Sequence, residues 1–190
     1  TPTRPWSGRD PVGMVSWHDS QAVLERHGLA LPTEAQWEYA CRAGTNTPWS
    51  SGAEPSDVAG SANVGHAGTG ISIPARFEDG FTGVAPVGSF EANAFGLHDM
   101  HGNVAEWCRD YFRRNAYHLP VDSLTGGRKL IPNEKRVIRG GSHNYDLYEC
   151  RTARRNTWSA DGGQETIGLR PIRQLNAGPS AITKKKEAEK

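Results

Sequence analysis

Only two segments of this chain, residues 15–28 and 31–44, repeat apolar side chains at the spacing of an α-helix. Residues 45–96 have no sustained helical or strand period and are rich in Gly, Ser, Asn and Pro. The 190 residues include 22 glycines and 12 prolines, which is above average usage. A chain of this length buries one core of ordinary size. We therefore predict one α+β domain with two short helices, short antiparallel strands and long loops that carry the function.

Both helical segments carry end signals. Ser16 can cap the first helix, and Gly28 suits the position just beyond its end. Thr33 with Gln36 forms a capping box for the second helix, and Gly44 ends it. The predicted core-facing residues are Trp17, Val23 and Leu24 in the first helix and Trp37, Ala40 and Cys41 in the second.

Two strands are expected in the last third of the chain. Residues 136–139 form one, and residues 166–172 form another that Pro171 restricts to an edge or a strand end. Residues 174–190 have no apolar pattern and are charged. We predict a domain over residues 1–173 and a solvated charged tail over residues 174–190.

Charge and cysteine content exclude several classes of function. The 22 basic and 21 acidic residues give a net charge of +1, which provides no field to attract nucleic acid or an anionic membrane. The apolar runs are too short for membrane insertion, so we expect a soluble protein. Three cysteines, Cys41, Cys108 and Cys150, form neither a disulfide framework nor a zinc site. This favours a cytoplasmic protein and leaves a secreted or surface-displayed one open.

Four sequence blocks occur in a distinctive order. They are PVGMVSW at residues 11–17, LPTEAQWEY at 31–39, GLHDMHGNVAEW at 96–107, and RGGS at 139–142 with IGLR at 167–170. Together they resemble the formylglycine-generating enzyme, or sulfatase-modifying factor, family over about residues 11–173. The resemblance implies the family's variant of the C-type lectin fold, with little regular structure. It also implies that the family's N-terminal part is absent here, so that part or another domain of the same protein is an expected partner.

One candidate calcium site lies within the third block. Asp99 and Glu106 place two carboxylates around the main-chain carbonyls of Gly102 and Val104, a set of hard oxygen ligands that calcium prefers. The resemblance implies a calcium ion at these four positions. A simpler interpretation stays open, in which Asp99 caps backbone amides in a turn and Glu106 is a surface charge.

The resemblance implies a second calcium site in the long irregular region. Asp79 could instead be a turn residue there. We expect one or two structural calcium ions that order a region lacking its own core. The ligands implied for the second site are Asn63, Val64, Asp79 and Phe81.

The resemblance also raises the question of catalysis. Members that make formylglycine hold copper(I) with a Cys-x-x-x-x-Cys pair after Gly-Gly-Ser. Counting from residues 140–142, the two positions here are Tyr145 and Cys150; counting back from Arg155, Cys150 matches neither position. Two-thiolate coordination needs both sulfurs, so we expect no copper and no catalytic residue. The alternative is an oxygen-dependent or sulfur-handling oxidoreductase that uses Cys150 with His143 or a metal.

Residues 143–166 have the composition of a binding surface. Aromatic side chains alternate with adaptable polar groups, as they do in antibody paratopes. Fixed residues interleaved with arbitrary ones resemble the C-terminal variable region of proteins diversified by retroelements, a layout that ordinary cysteine-less family members share. We expect binding of a protein or another macromolecule. The candidate residues are His143, Asn144, Tyr145, Asp146, Tyr148, Arg154, Asn156, Trp158 and Ser159.

Overall fold

The computed structural model describes residues 7–65, 79–114 and 134–173, which form an α+β fold. The predicted tail lies outside the described residues. None of the helices in the described ranges is long and apolar enough to cross a membrane. The helices are α1 (Trp17–Arg26) and α2 (Glu34–Arg42), and the strands are β1 (Ala105–Tyr111), β2 (Lys135–Arg139), β3 (Asn156–Ser159) and β4 (Ile167–Gly168). Among the described residues, 3-10 helices span Pro55–Val58 and Leu147–Cys150.

The helix caps confirm the predicted helix starts. The Ser16 side chain accepts a hydrogen bond from the Asp19 amide, and Thr33 with Gln36 forms the capping box. The inclusion of Val23 in the buried face was wrong, because this side chain is 49% exposed. The buried residues of α1 are Trp17, Ser20 and Leu24, so Leu24 lies one turn after Ser20 and two turns after Trp17 on the same face. Neighbouring helical residues point about 100° apart, and the side chain of Val23 therefore points away from this face.

The strands form one mixed sheet in the order β3-β2-β1-β4. The pairs β1–β2 and β2–β3 are antiparallel, whereas β4 pairs with β1 in parallel. On one face Trp17 and Leu24 of α1 pack with Trp107 and Ile138. On the other face Trp37 and Cys41 of α2 pack with Cys108 and Val137, so the helices cover opposite faces of the sheet.

A third apolar cluster lies under the irregular part of the chain. Trp49, Val58 and Val64 from the long loop region pack there against Leu147 and Cys150. The Trp49 indole also donates a hydrogen bond to the Leu147 carbonyl at 3.3 Å. The described loops are therefore held by a core of their own, which directly supports residues 143–150.

Candidate ligand-binding surface

The candidate segment, residues 143–166, follows shortly after Arg139, the last residue of β2, whose side chain is fully buried. Its guanidinium donates to the Thr152 carbonyl at 2.7 Å and to the Arg154 carbonyl at 2.9 Å. The same group forms ion pairs with Glu34 and Glu38 of α2. A buried guanidinium needs such partners, and here they fix the backbone of residues 152–154 to α2.

Arg155 adds a second connection to the start of α2. Its guanidinium donates to both carboxylate oxygens of Glu34, at 2.6 and 2.7 Å, which is a bidentate pair. The Glu34 amide donates to Asp110 of β1 at 2.7 Å, and burial raises the pKa of Asp110. The segment is thereby linked to α2 and β1 at one buried point.

The far end of the segment is fixed by backbone contacts with residues 12–17. The Met14 amide donates to the Gln164 carbonyl at 2.9 Å, and the Trp17 amide donates to the Ala160 carbonyl at 3.0 Å. A Cβ atom at Gly168 would collide with the Val12 carbonyl, so this close approach requires glycine. Both ends of the candidate segment are thus set by the scaffold.

Cys150 points into the scaffold. It is 0% exposed, and a Cβ atom at Gly141 would collide with its sulfur. Gly141 has a φ of 71°, a conformation that favours glycine. Burial raises the pKa of the Cys150 thiol far above its ordinary value. The segment offers no second thiol, so its residues do not fit a two-thiolate copper site.

The predicted ligand-binding residues fall into three groups. The first is a turn in which the Ser142 hydroxyl donates to Asn144 at 2.7 Å and the Tyr148 amide donates to Asp146 at 2.8 Å. His143 is partly buried there, and this burial lowers its pKa. The negative charges of Asp79 and Glu165 raise the pKa and offset part of that effect. This first group consists of His143, Asn144, Tyr145 and Asp146.

The second group is joined by Glu149. Arg154 donates to this carboxylate at 2.8 Å and Asn156 at 3.3 Å, while the 53% exposed Tyr148 packs on Trp49 with ring centroids 5.9 Å apart. The third group, Trp158 and Ser159, lies on β3 at the edge of the sheet. All nine predicted residues are at least partly accessible to solvent.

The ligands implied for the second calcium site come together in the structure. Asp79 accepts hydrogen bonds from the amides of Val64 at 3.1 Å and Phe81 at 2.9 Å. Asn63 donates its side-chain amide to Gly83, whereas its buried Oδ1 has no hydrogen-bond partner in the described residues. A buried oxygen without a hydrogen-bond partner fits a cation that accepts oxygen ligands.

The ligands implied for the first calcium site are arranged less simply. Asp99 Oδ2 accepts from the Gly88 amide at 2.6 Å, but its buried Oδ1 has no partner among the described residues. Glu106 is buried and not a surface charge. Arg170 donates to both of its oxygens, and the Trp37 indole donates to one of them at 2.6 Å. Glu106 raises the pKa of Arg170, so a calcium ion would share this carboxylate with a strongly held guanidinium.

Sequence reasoning missed His101, which is almost fully buried next to the segment. The Ser50 amide donates to its Nε2 at 3.0 Å, which places the ring proton on Nδ1, 2.8 Å from the Cys150 carbonyl. Burial lowers the pKa of His101. The imidazole connects the long loop to the segment, and no local pattern in the sequence signals this role.

Sequence reasoning also missed a cleft of about 530 Å³ beside the second group of surface residues. Arg42 at the end of α2 forms one wall with the loop from Asn46 to Pro48, and the opposite wall belongs to the candidate segment. Three arginines close to Cys150 in the sequence could have indicated the cleft, whereas Arg42 is too far from them in the sequence to be linked to it. The arginines that line the cleft are Arg42, Arg151, Arg154 and Arg155.

Comparison with known proteins gives a family match over nearly the whole chain. Residues 2–175 match the model of the sulfatase-modifying factor enzyme 1-like domain. The formylglycine-generating enzyme of Mus musculus is 35% identical over 166 residues, which cover 84% of this chain and 43% of that protein. The inactive C-alpha-formylglycine-generating enzyme 2 of Bos taurus is 36% identical over 175 residues, covering 84% and 49%.

Solved structures show the same fold. PvdO from Pseudomonas aeruginosa superposes with a TM-score of 0.74 at 26% identity, covering 92% of this chain and 66% of that one. Treponema denticola variable protein 1 superposes with a TM-score of 0.67 at 20% identity, covering 90% and 74%. The chain spans about half the length of the curated relatives it matches.

Proposed function

The chain belongs to the sulfatase-modifying factor enzyme 1-like family, and from this premise we propose that it is a non-catalytic member that binds a protein or another macromolecular ligand. The proposed binding surface is residues 143–166. The family match and the C-type-lectin-like fold support the proposal in general. The side chains of residues 143–166 favour a role in recognition over one in catalysis.

One observation carries the proposal: the segment buries its only thiol and exposes its aromatic and charged side chains. Cys150 lies in the core against Gly141, while Tyr148, Arg154 and Trp158 are exposed. A reactive cysteine needs access and a lowered pKa, and burial has the opposite effect on this thiol. Exposed Tyr, Trp and Arg are the residues that contribute most to binding energy at protein interfaces.

Two of the matched proteins support this reading by their names. The bovine relative is called inactive, so the family includes members without the formylglycine-generating activity. The treponemal protein, which shares the fold, is called a variable protein. We extend the proposal to diversification of residues 143–166. Its test is the comparison of close relatives, which should differ there more than at residues 139–142 and 167–170, together with a neighbouring reverse transcriptase gene.

The alternative is an oxygen-dependent or sulfur-handling oxidoreductase. The 35% identity with a formylglycine-generating enzyme favours it. The burial of Cys150 and the missing second thiol of its segment oppose it, because thiol chemistry at this position would require the core around Gly141 to open.

The proposal includes structural calcium at the two ligand sets described above. The buried oxygens Asn63 Oδ1 and Asp99 Oδ1 support it, since each belongs to one of the two ligand sets and has no hydrogen-bond partner among the described residues. A bound calcium ion would hold the irregular loops together, because its oxygen ligands come from different parts of these loops. Calcium at the set around Glu106 would require the ion pair between Glu106 and Arg170 to rearrange.

A binding selection tests the surface directly. Ligands are selected from a displayed peptide library against the full chain and are then measured against two double variants. Tyr148→Ala with Trp158→Ala should weaken binding of the selected ligands by at least about tenfold, because aromatic anchors dominate interface energies. Tyr39→Ala with Phe95→Ala removes an exposed aromatic pair elsewhere and should leave binding unchanged. Equal losses in both variants would contradict the proposal.

A further inference from the structure

The cleft beside the proposed binding surface is rich in arginine. Four of its eight lining residues are arginines, and the others are Asn46, Thr47, Pro48 and Ala153. Arginine presents planar, forked donors that match the oxygens of phosphate and sulfate groups. Asn46 and Thr47 add neutral polar groups to the same walls.

The acidic residues near the cleft do not balance its charge. In the part of the chain that the structure describes, Glu34, Glu38 and Glu149 form the ion pairs of this region. Four guanidiniums share these three carboxylates, because Arg139 pairs with both Glu34 and Glu38, which also pair with Arg155 and Arg42, while Arg154 pairs with Glu149. Arg151 adds a fifth guanidinium that forms no ion pair among the described residues. Concentrated like charge in a concave site attracts an anion.

Two of the arginines keep most of their donors available. Arg151 uses Nε to donate to the Tyr148 carbonyl at 2.9 Å, and Arg154 uses Nε to donate to Glu149 at 2.8 Å. Within the described ranges no hydrogen bond reaches the terminal nitrogens of either residue. Each Nε contact orients the guanidinium and leaves its terminal amino groups for a ligand.

The backbone on both walls of the cleft is held by hydrogen bonds, although Arg151 and Arg154 are exposed. The Thr152 amide, between Arg151 and Ala153, donates to the Pro48 carbonyl at 2.8 Å, which joins the two walls directly. The buried Arg139 holds the carbonyls of Thr152 and Arg154. At the opposite wall the Thr45 amide and hydroxyl both donate to the Arg42 carbonyl. A ligand would therefore order side chains only, which lowers the entropic cost of binding.

We propose that this cleft binds a tetrahedral oxyanion, the phosphate or sulfate group of a ligand, through Arg42, Arg151 and Arg154. The inference deepens the proposed recognition role and rests on it, because Arg151 and Arg154 belong to residues 143–166. The ligand would then place its anionic group in the cleft while its remaining surface contacts Tyr148 and its neighbours.

The test uses inorganic phosphate and inorganic sulfate as probes on the full chain, titrated by calorimetry at constant ionic strength set with sodium chloride. Saturable binding of one mole of either anion per mole of chain is expected, and the anion that binds more tightly identifies the group. Arg151→Gln should weaken binding about tenfold, since a charge-assisted hydrogen bond contributes about 1.5–3 kcal/mol. Arg26→Gln removes an exposed arginine of α1 and should leave it unchanged.

Arg154→Gln provides a second variant, and arginine Nε–H resonances measured by NMR report on the site in each folded protein. Shifts confined to Arg42, Arg151 and Arg154 support the cleft. The inference is overturned if neither anion binds saturably, or if Arg26→Gln weakens binding as much as Arg151→Gln does. Because the probes need no macromolecule, this result is independent of the peptide selection that tests the proposed function.

Discussion

Cys150 is the residue on which the choice between catalysis and recognition depends. Its sulfur lies in the core, and the thiolate is the reactive form of cysteine. We predict that a chromogenic disulfide reagent modifies none of the three cysteines in the native chain within minutes and all three in denaturant. Rapid modification of one thiol in the native chain that disappears in Cys150→Ala would contradict its assignment to the core.

His101 gives the fold a defined pH dependence. Burial lowers its pKa in the folded chain below that in the unfolded chain, so the unfolded chain binds the proton more readily. The stabilising contribution of neutral His101 is complete above the unfolded pKa, near 6.5, and is lost as the pH falls towards the folded pKa. We predict a free energy of unfolding, measured in urea, that decreases from pH 7.5 to pH 5.5.

Two histidine variants isolate this effect. His101→Gln should flatten the dependence between pH 7.5 and pH 5.5, whereas His27→Gln, at the exposed end of α1, should preserve it. A His101→Gln variant with the full dependence of the wild-type chain would assign the effect to other groups.

The residues that sequence reasoning predicted correctly are those whose environment is local. Ser16 and Thr33 cap helices through neighbours three residues away, and the capping box is readable directly. His101 and Arg42 act through partners about 50 and 110 residues away, which only the tertiary fold brings close. Val23 was misplaced because its neighbour Leu24 is equally apolar.

Among the elements, α2 has the closest connection to the candidate segment. Glu34, the first residue of α2, holds the guanidiniums of Arg139 and Arg155 at a buried position. We predict that Glu34→Gln lowers the free energy of unfolding by about 3–5 kcal/mol, because it leaves two buried cations short of a carboxylate. Urea denaturation followed by tryptophan fluorescence measures this loss.

The matched control is Glu25→Gln on the exposed side of α1. This change should cost less than about 0.5 kcal/mol, as surface substitutions usually do. Similar small losses in both variants would show that the ion-pair network does not hold α2 against the segment.

The strands were only partly predictable. Residues 136–139 fall within β2 as expected, because the β-branched side chains of Val137 and Ile138 are a local signal. The predicted strand over residues 166–172 is reduced to Ile167–Gly168 and an isolated bridge at Ile172. Its parallel pairing with β1 depends on the approach of residues 12–17, which the local sequence does not encode.

For the molecule as a whole, we predict that calcium stabilises the loops. Saturating calcium at about 100 times its dissociation constant would add about 2.7 kcal/mol. For a chain of this size that corresponds to a melting temperature about 5–10 °C higher than in excess chelator. Differential scanning fluorimetry with and without EDTA measures the shift.

Carboxylate variants locate the ion. Asp79→Asn and Asp99→Asn should each reduce the chelator effect, and Glu91→Gln, an exposed loop carboxylate, should not. A chelator effect of zero, with no calcium found by elemental analysis, would remove calcium from the account.

At the same scale, the family and the α+β fold were predictable because four separated blocks keep one order along the chain. The arrangement of the surface was not, since residues 143–159 divide into three groups that share no sequence period. The molecule combines a scaffold fixed by buried ion pairs with a segment that exposes Tyr148, Arg154 and Trp158.

The most direct test of the central claim, that this is a recognition domain without a redox centre, is a copper(I) titration of the full chain against a competing chromogenic chelator. We predict no stoichiometric copper(I) binding that depends on Cys150. Binding of one copper(I) ion per chain in the wild type, lost in Cys150→Ala while the fold is retained, would contradict it and favour the oxidoreductase alternative.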